Sequence, residues 1–171
     1  LWAFEGITSY YDDLALLRSG VIDAESYLEL LGRTASAVLR TPGRRVQSVA
    51  DASFDAWIKY YRPDENSPNS SVSYYVKGAV VAFLIDAKLR EATLGRQCLD
   101  DVMRLAYARF SGERGYRDEE LRAVISEVAG TSLAAWLAEI GGTDLSLTVA
   151  GVVGLAAVGA ASASWRHAAV P

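Results

Sequence analysis

The chain is poor in the residues on which metal and thiol chemistry depends. Its 171 residues include one cysteine, Cys98, and one histidine, His167. A lone cysteine excludes an internal disulfide framework. Cys98 also lacks a histidine partner of the kind a nucleophilic thiol needs. Cys98, His167 and Glu5 form a zinc ligand set only formally, because their spacing fits no local metal motif. An excess of basic charge is missing too. Seventeen basic against 21 acidic residues leave a net charge of -4, and no basic cluster exceeds Arg44-Arg45. That balance gives no electrostatic footprint for nucleic acid. There is no Gly-rich phosphate loop; Gly95, Gly112, Gly115 and Gly130 fall at expected helix ends or turns. The uncharged stretch 147–163 is slightly shorter than the ~20 residues that span a bilayer, and its Ala, Gly and Val side chains give a weak transfer term. A loosely packed or poorly ordered tail is the expected state of this stretch, and a membrane partner is not expected. There is no initiator methionine and no secretory leader pattern at the start, and a start inside a longer protein leaves the compartment unknown.

What the chain does have is helical periodicity. Apolar residues make up 51% and charged residues 22%, an ordinary balance for a globular chain able to bury a sizeable core. A first helix is expected over 2–18, stopped by Ser19-Gly20. Asp23 is a good N-cap for a second helix, with Tyr27, Leu28, Leu31, Ala35 and Val38 on one face and Thr41-Pro42-Gly43 ending it. One or two short helices over 48–61 place Phe54, Trp57 and Tyr61 on a stripe, for which burial is the favoured reading over a ligand site. Residues 62–71 read as a loop rich in Pro, Asn and Ser. A long helix follows over 73–92, its apolar positions Val76, Val80, Phe83, Leu84 and Leu89 flanked by Lys77, Asp86, Lys88 and Arg90. Further helices are expected from Leu99 to Ser111, over 117–129 with Gly130 beyond the end, and from a Thr131 or Ser132 cap to about Ile140. No alternating strand pattern occurs, so the predicted fold is all-α, a multi-helix bundle with short connections.

Two constellations could carry chemistry. Glu5, early in the first helix among Leu1, Trp2, Phe4 and Ile7, is a carboxylate in a partly apolar setting that a cation would relieve. A solvated first-turn acid favoured by the helix dipole is the competing reading. Tyr74 and Tyr75 stand where the polar loop meets the long helix; a phenol there can donate to a developing oxyanion or be an aromatic core residue. Adjacent helical positions lie about 100° apart, so the two tyrosines are expected in different environments. The pairs Asp12-Asp13, Asp64-Glu65 and Asp100-Asp101 do not face each other as catalytic carboxylates would. Asp100-Asp101 reads better as helix N-terminal acids.

Glu5-Gly6-Ile7-Thr8-Ser9-Tyr10 and Tyr75-Val76-Lys77-Gly78 together resemble the glycyl aminopeptidase family of PDZ-containing zinc metallopeptidases, the sixty-first metallopeptidase family, and more distantly the aminopeptidase N group. Leu1-Trp2, the block from Thr41 to Ser48 and the block from Phe54 to Pro63 share the resemblance, which extends to roughly Leu145. It implies the C-terminal helical part of a thermolysin-like, gluzincin catalytic domain over 1–145, with a divergent tail over 146–171. It implies zinc as cofactor, Glu5 as its third protein ligand, a water-activating HExxH helix upstream, and Tyr75 as donor to the tetrahedral intermediate. Tyr10 and Tyr11, near Glu5 in sequence, are expected to line the cleft. HExxH is absent from this sequence, and zinc needs three or four ligands. The isolated chain is therefore expected to be inactive, although the resemblance implies a peptide substrate for the intact enzyme. Its expected partners are the N-terminal catalytic half and a second copy meeting it through an exposed apolar face. The alternative is a non-catalytic helical interaction module that keeps the peptidase scaffold.

Overall fold

The computed structural model describes residues 1–143. The expected boundary at 145, the tail over 146–171 and His167 lie outside the described residues. Among the described residues the fold is all-α, as expected. A single π-turn, Trp2–Gly6, runs into α1 (Ile7–Arg18), followed by α2 (Ala24–Arg40). A 3-10 turn, Pro42–Arg45, leads to α3 (Val49–Phe54) and a second π-turn, Ala56–Tyr60. Next come the short α4 (Ser67–Ser70), the long α5 (Tyr74–Thr93), α6 (Leu99–Phe110), α7 (Asp118–Ala129) and α8 (Ala134–Gly141). No helix among these is long and apolar enough to cross a membrane.

Local signals account for most of the boundaries. The Asp23 carboxylate accepts from the Ser26 amide and starts α2. Ser48 and Asp51 form a reciprocal capping box on α3, and Ser73 accepts from the Val76 amide to open α5. Gly130 takes the left-handed conformation, φ +68°, that ends α7. The start of α8 departs from expectation. Neither Thr131 nor Ser132 caps it; the Leu133 amide instead donates to Ser126 Oγ at 3.1 Å, a reach from α7 that local sequence does not reveal.

α5 is the axis of the molecule. Its buried residues include Lys77, Val80, Val81, Leu84, Ile85, Asp86 and Leu89, which cover its whole circumference. A helix buried all round belongs to the centre of a core. Lys77 and Asp86, expected on its flanks, are 0% and 1% exposed. Around it pack Ile7, Tyr10 and Leu14 of α1, Tyr27 and Val38 of α2, Val102 of α6, Val124 and Ile125 of α7, and Leu137 and Ile140 of α8. A smaller cluster of Val49, Ala52, Ala56, Val72 and Tyr74 sits at the N-terminal end of α5, and Trp2 packs against both clusters.

Three expectations give way to the structure. The stripe of Phe54, Trp57 and Tyr61 is not core: these side chains are 90%, 74% and 48% exposed. α3 ends at Phe54 and the chain resumes as a π-turn, so the regular spacing is broken and Val49, Ala52 and Ala56 face inward instead. The loop over 62–71 contains α4, opened by Pro68 in its first turn. Tyr10 lines no cleft with Glu5, and the open pocket that Tyr11 lines with Ile7, Thr8 and Leu16 does not include Glu5. Tyr10 lies in the main core and donates to Asp86 at 2.8 Å, while Tyr11 donates to Asp100 at 2.7 Å.

Candidate functional site

The first π-turn and the N-terminal turn of α5 cross with backbone against backbone. A Cβ built on Gly6 would lie 2.5 Å from Gly78 Cα and carbonyl C, and one on Gly78 would lie 2.8 Å from Gly6 Cα. Only glycine at both positions permits this approach. Each of the two sequence motifs contains one of these glycines, so the motifs meet at their glycines. The crossing is held at its edges. The Trp2 amide donates to Ser53 Oγ at 2.9 Å, and Ser9 Oγ donates to the Glu5 carbonyl at 2.7 Å.

Glu5 immediately precedes the first of these glycines and Tyr75 stands three residues before the second. Glu5 is part-exposed, and no described residue gives its carboxylate a hydrogen bond or an ion pair. An acid with no partner among the described residues is free to accept from an external cation or donor. Its negative charge reaches the phenols of both Tyr61 and Tyr75 and disfavours their ionisation.

Tyr75 belongs to a cluster of four phenols. The Tyr74 and Tyr75 rings lie 4.6 Å apart, with Tyr60 at 5.2 Å from Tyr74 and 6.0 Å from Tyr75. Both residues open α5, where the side chains lean back toward the N-terminus and can lie side by side. The expectation of separate environments therefore fails for the rings, though it holds for burial: Tyr74 is 1% exposed and Tyr75 is part-exposed. The Tyr61 hydroxyl lies 2.9 Å from that of Tyr74 and 3.5 Å from that of Tyr75. Hydrogen bonds from Tyr74 and Tyr75 hold the Tyr61 pKa below the ordinary tyrosine value, and the bond to Tyr61 holds that of Tyr75 above it. Tyr75 thus keeps its proton at neutral pH and is a neutral donor.

Lys77, between Tyr75 and Gly78, is not directed at this surface. Its ammonium donates to the Gln47 carbonyl at 3.2 Å and the Gly142 carbonyl at 2.6 Å, tying α5 to the link between the 3-10 turn and α3 and to the end of α8. Burial, aided by the nearby Arg44 guanidinium, pushes its pKa down to about 8. Beside this tether an apolar cavity of about 210 Å³ lies among Trp2, Val49, Val81, Ile125, Leu137 and Gly142; Glu5 and Tyr75 do not line it.

Among the described residues no three of His, Cys, Asp and Glu cluster in a way that would hold a metal ion. Cys98 is at the start of α6, where its amide donates to Asp101 at 2.9 Å, and His167 of the formal set lies outside the described residues. Among the described residues Glu5 has no further ligand beside it, whereas zinc takes three or four ligands. The described residues therefore do not complete a zinc site, although Glu5 has the exposure and freedom of a single ligand.

Sequence pattern alone points to Glu5 and Tyr75, and they fall on two elements that cross. It missed Tyr61 and the glycine contact. The glycines were visible as members of two motifs, and their pairing was the available signal. Tyr61 offered none, because helical spacing assigned it to the core.

The family model of the M61 glycyl aminopeptidases matches residues 1–81. No curated protein matches the chain. Among solved structures, the crystal structure of an aminopeptidase N family protein from Idiomarina loihiensis is 39% identical, with a TM-score of 0.80. The match covers 84% of this chain and 25% of that one, so this chain spans about a quarter of the length of its solved relative. The resemblance read from the two motifs is borne out: over residues 1–81, which hold both of them, the chain matches the M61 glycyl aminopeptidases.

Proposed function

We propose that this chain is the helical part of a zinc aminopeptidase catalytic domain, working in peptide-bond hydrolysis. The observation that carries the reading is the Gly6–Gly78 crossing, which brings the Glu5 and Tyr75 motifs, seventy positions apart, to one surface. In this reading Glu5 is one metal ligand, and the remaining ligands come from outside the described residues. Zinc, when bound, supplies a polarised water. The chain's own contribution is the Tyr75 phenol, which keeps its proton and donates to a carbonyl oxygen as that oxygen gains charge. The chain alone, with one ligand, is expected to hold zinc poorly and to show no hydrolysis.

The exposed Phe54, Trp57 and Ile58 beside the phenol cluster support a covering partner. The partner in this reading is the catalytic half that supplies the other ligands; in its absence the same face would drive self-association. The same exposure is the observation that favours the second reading, a non-catalytic interaction module. Zinc content separates the two. In the enzyme that carries this chain, Glu5→Gln is expected to lower bound zinc and aminopeptidase activity together. Full zinc and full activity in that variant would remove Glu5 from the metal, whereas a parent protein with neither zinc nor activity would leave the interaction reading.

A further inference from the structure

We propose that Tyr61 is a positioning residue for Tyr75, fixing where the Tyr75 hydroxyl points. The inference rests on the proposed donor role of Tyr75. Tyr74 is 1% exposed, and its hydroxyl lies 2.9 Å from that of Tyr61. A buried hydroxyl left without a partner is costly, so the Tyr74–Tyr61 bond is anchored by burial. The remaining capacity of the Tyr61 hydroxyl faces Tyr75 at 3.5 Å. A hydroxyl has one proton and two acceptor sites, so a single phenol can serve both neighbours.

The Tyr61 ring is fixed independently of the hydroxyls. Its amide donates to the Ala56 carbonyl at 3.0 Å, and Ala56 is fully buried. Trp57 packs on one side of the ring at 5.1 Å, and Tyr60 meets it edge-on at 5.3 Å. Tyr60 is in turn the partner of Ser73 Oγ, at 3.5 Å, on the N-cap residue of α5. The second π-turn thus presents Tyr61 to the first turn of α5 as a built contact.

The consequence for the reaction is a proton order. The hydroxyl positions allow Tyr61 to accept from both Tyr74 and Tyr75. When a carbonyl oxygen draws the Tyr75 proton toward itself, Tyr61 still accepts from Tyr74 and turns its own proton to the Tyr75 oxygen. Only hydroxyl rotors move; no proton leaves its phenol and no heavy-atom bond changes. The chain Tyr74 to Tyr61 to Tyr75 polarises in one direction, which strengthens the last donor.

The test compares Tyr61→Phe and Tyr75→Phe in the enzyme that carries this chain, assayed on a glycyl chromogenic amide. Tyr75→Phe should lower kcat by about 10²-fold or more. Tyr61→Phe should lower kcat by about tenfold, with KM unchanged within about twofold, because donor alignment and not substrate binding is lost. It should also move the alkaline limb of the kcat profile to lower pH, since the bond that raises the Tyr75 pKa is gone. An inactive Tyr75→Phe beside a Tyr61→Phe with wild-type kcat and an unmoved limb overturns the positioning role while leaving the donor role intact. A fully active Tyr75→Phe overturns both. A second measurement needs no turnover: in the 171-residue chain carrying ring-labelled tyrosine, the Tyr75 resonance should titrate at lower pH in Tyr61→Phe. An unshifted Tyr75 titration overturns the proposal.

Discussion

The two ends of helix α5 lie in different polar surroundings. Toward the C-terminus, Asp86 is saturated. Its carboxylate accepts from Tyr10 at 2.8 Å, from the Arg90 guanidinium at 3.0 Å and from the Leu99 amide at 2.6 Å. Close by, the α6 acid Asp100 takes the Tyr11 hydroxyl and the Arg18 guanidinium; burial alone would raise its pKa, but these two partners hold it below the usual carboxylate range. These bonds fasten α1 and α6 to α5. Toward the N-terminus, Glu5 has no described partner, Tyr61 is exposed, Tyr75 is part-exposed, and aromatic side chains stand in solvent. Paired acids are scaffolding, while an unpaired acid beside proton donors is what a site built for an external ligand leaves available.

The largest break in this contrast should come at Asp86. Asp86→Ala removes the carboxylate from a buried guanidinium, a hydroxyl and a helix amide, and is expected to cost about 3–5 kcal/mol in urea denaturation. A loss below about 1 kcal/mol would contradict the fastening role. Gly6→Ala comes next, at about 3 kcal/mol, because its methyl group meets the Gly78 backbone and not a flexible side chain. Near-neutral Gly6→Ala would mean that the crossing is looser than described.

Lys77 sharpens the comparison through pH. Its folded pKa is lowered to about 8, while an unfolded lysine keeps its proton to about 10.4. Between these values the unfolded chain binds more protons, so stability from this group rises as pH rises, by about 2 kcal/mol from pH 8 to 10. Denaturation midpoints across that range should show the rise in the wild type and not in Lys77→Met. An equal rise in both would assign the effect elsewhere. The smallest change is expected at Glu5, where Glu5→Gln should alter folding stability by no more than about 0.5 kcal/mol. A loss of several kcal/mol would place Glu5 with the paired acids.

The fold was largely legible because its signals are local. Asp23, Ser48, Ser73 and Gly130 start or stop helices through contacts within a few residues, and the helical order followed from them. The site was legible only as two motifs. That they meet depends on Gly6 lying on Gly78, a contact between residues far apart in sequence. The aromatic stripe misled because spacing reports a helical face only where the helix is continuous, and the chain leaves α3 at Phe54. Tyr10 and Tyr11 misled for another reason: closeness to Glu5 in sequence concealed that their hydroxyls turn toward Asp86 and Asp100.

The central claim is that Glu5 and Tyr75 serve one site. A double-mutant cycle on kcat/KM, with Glu5→Gln, Tyr75→Phe and the double variant in the enzyme that carries this chain, tests it most directly. Residues acting as a unit are strongly non-additive. The account predicts that each single variant loses most of the activity and that the double variant is little worse than the weaker single one. Independent, multiplying losses, or no loss from either substitution, would contradict it.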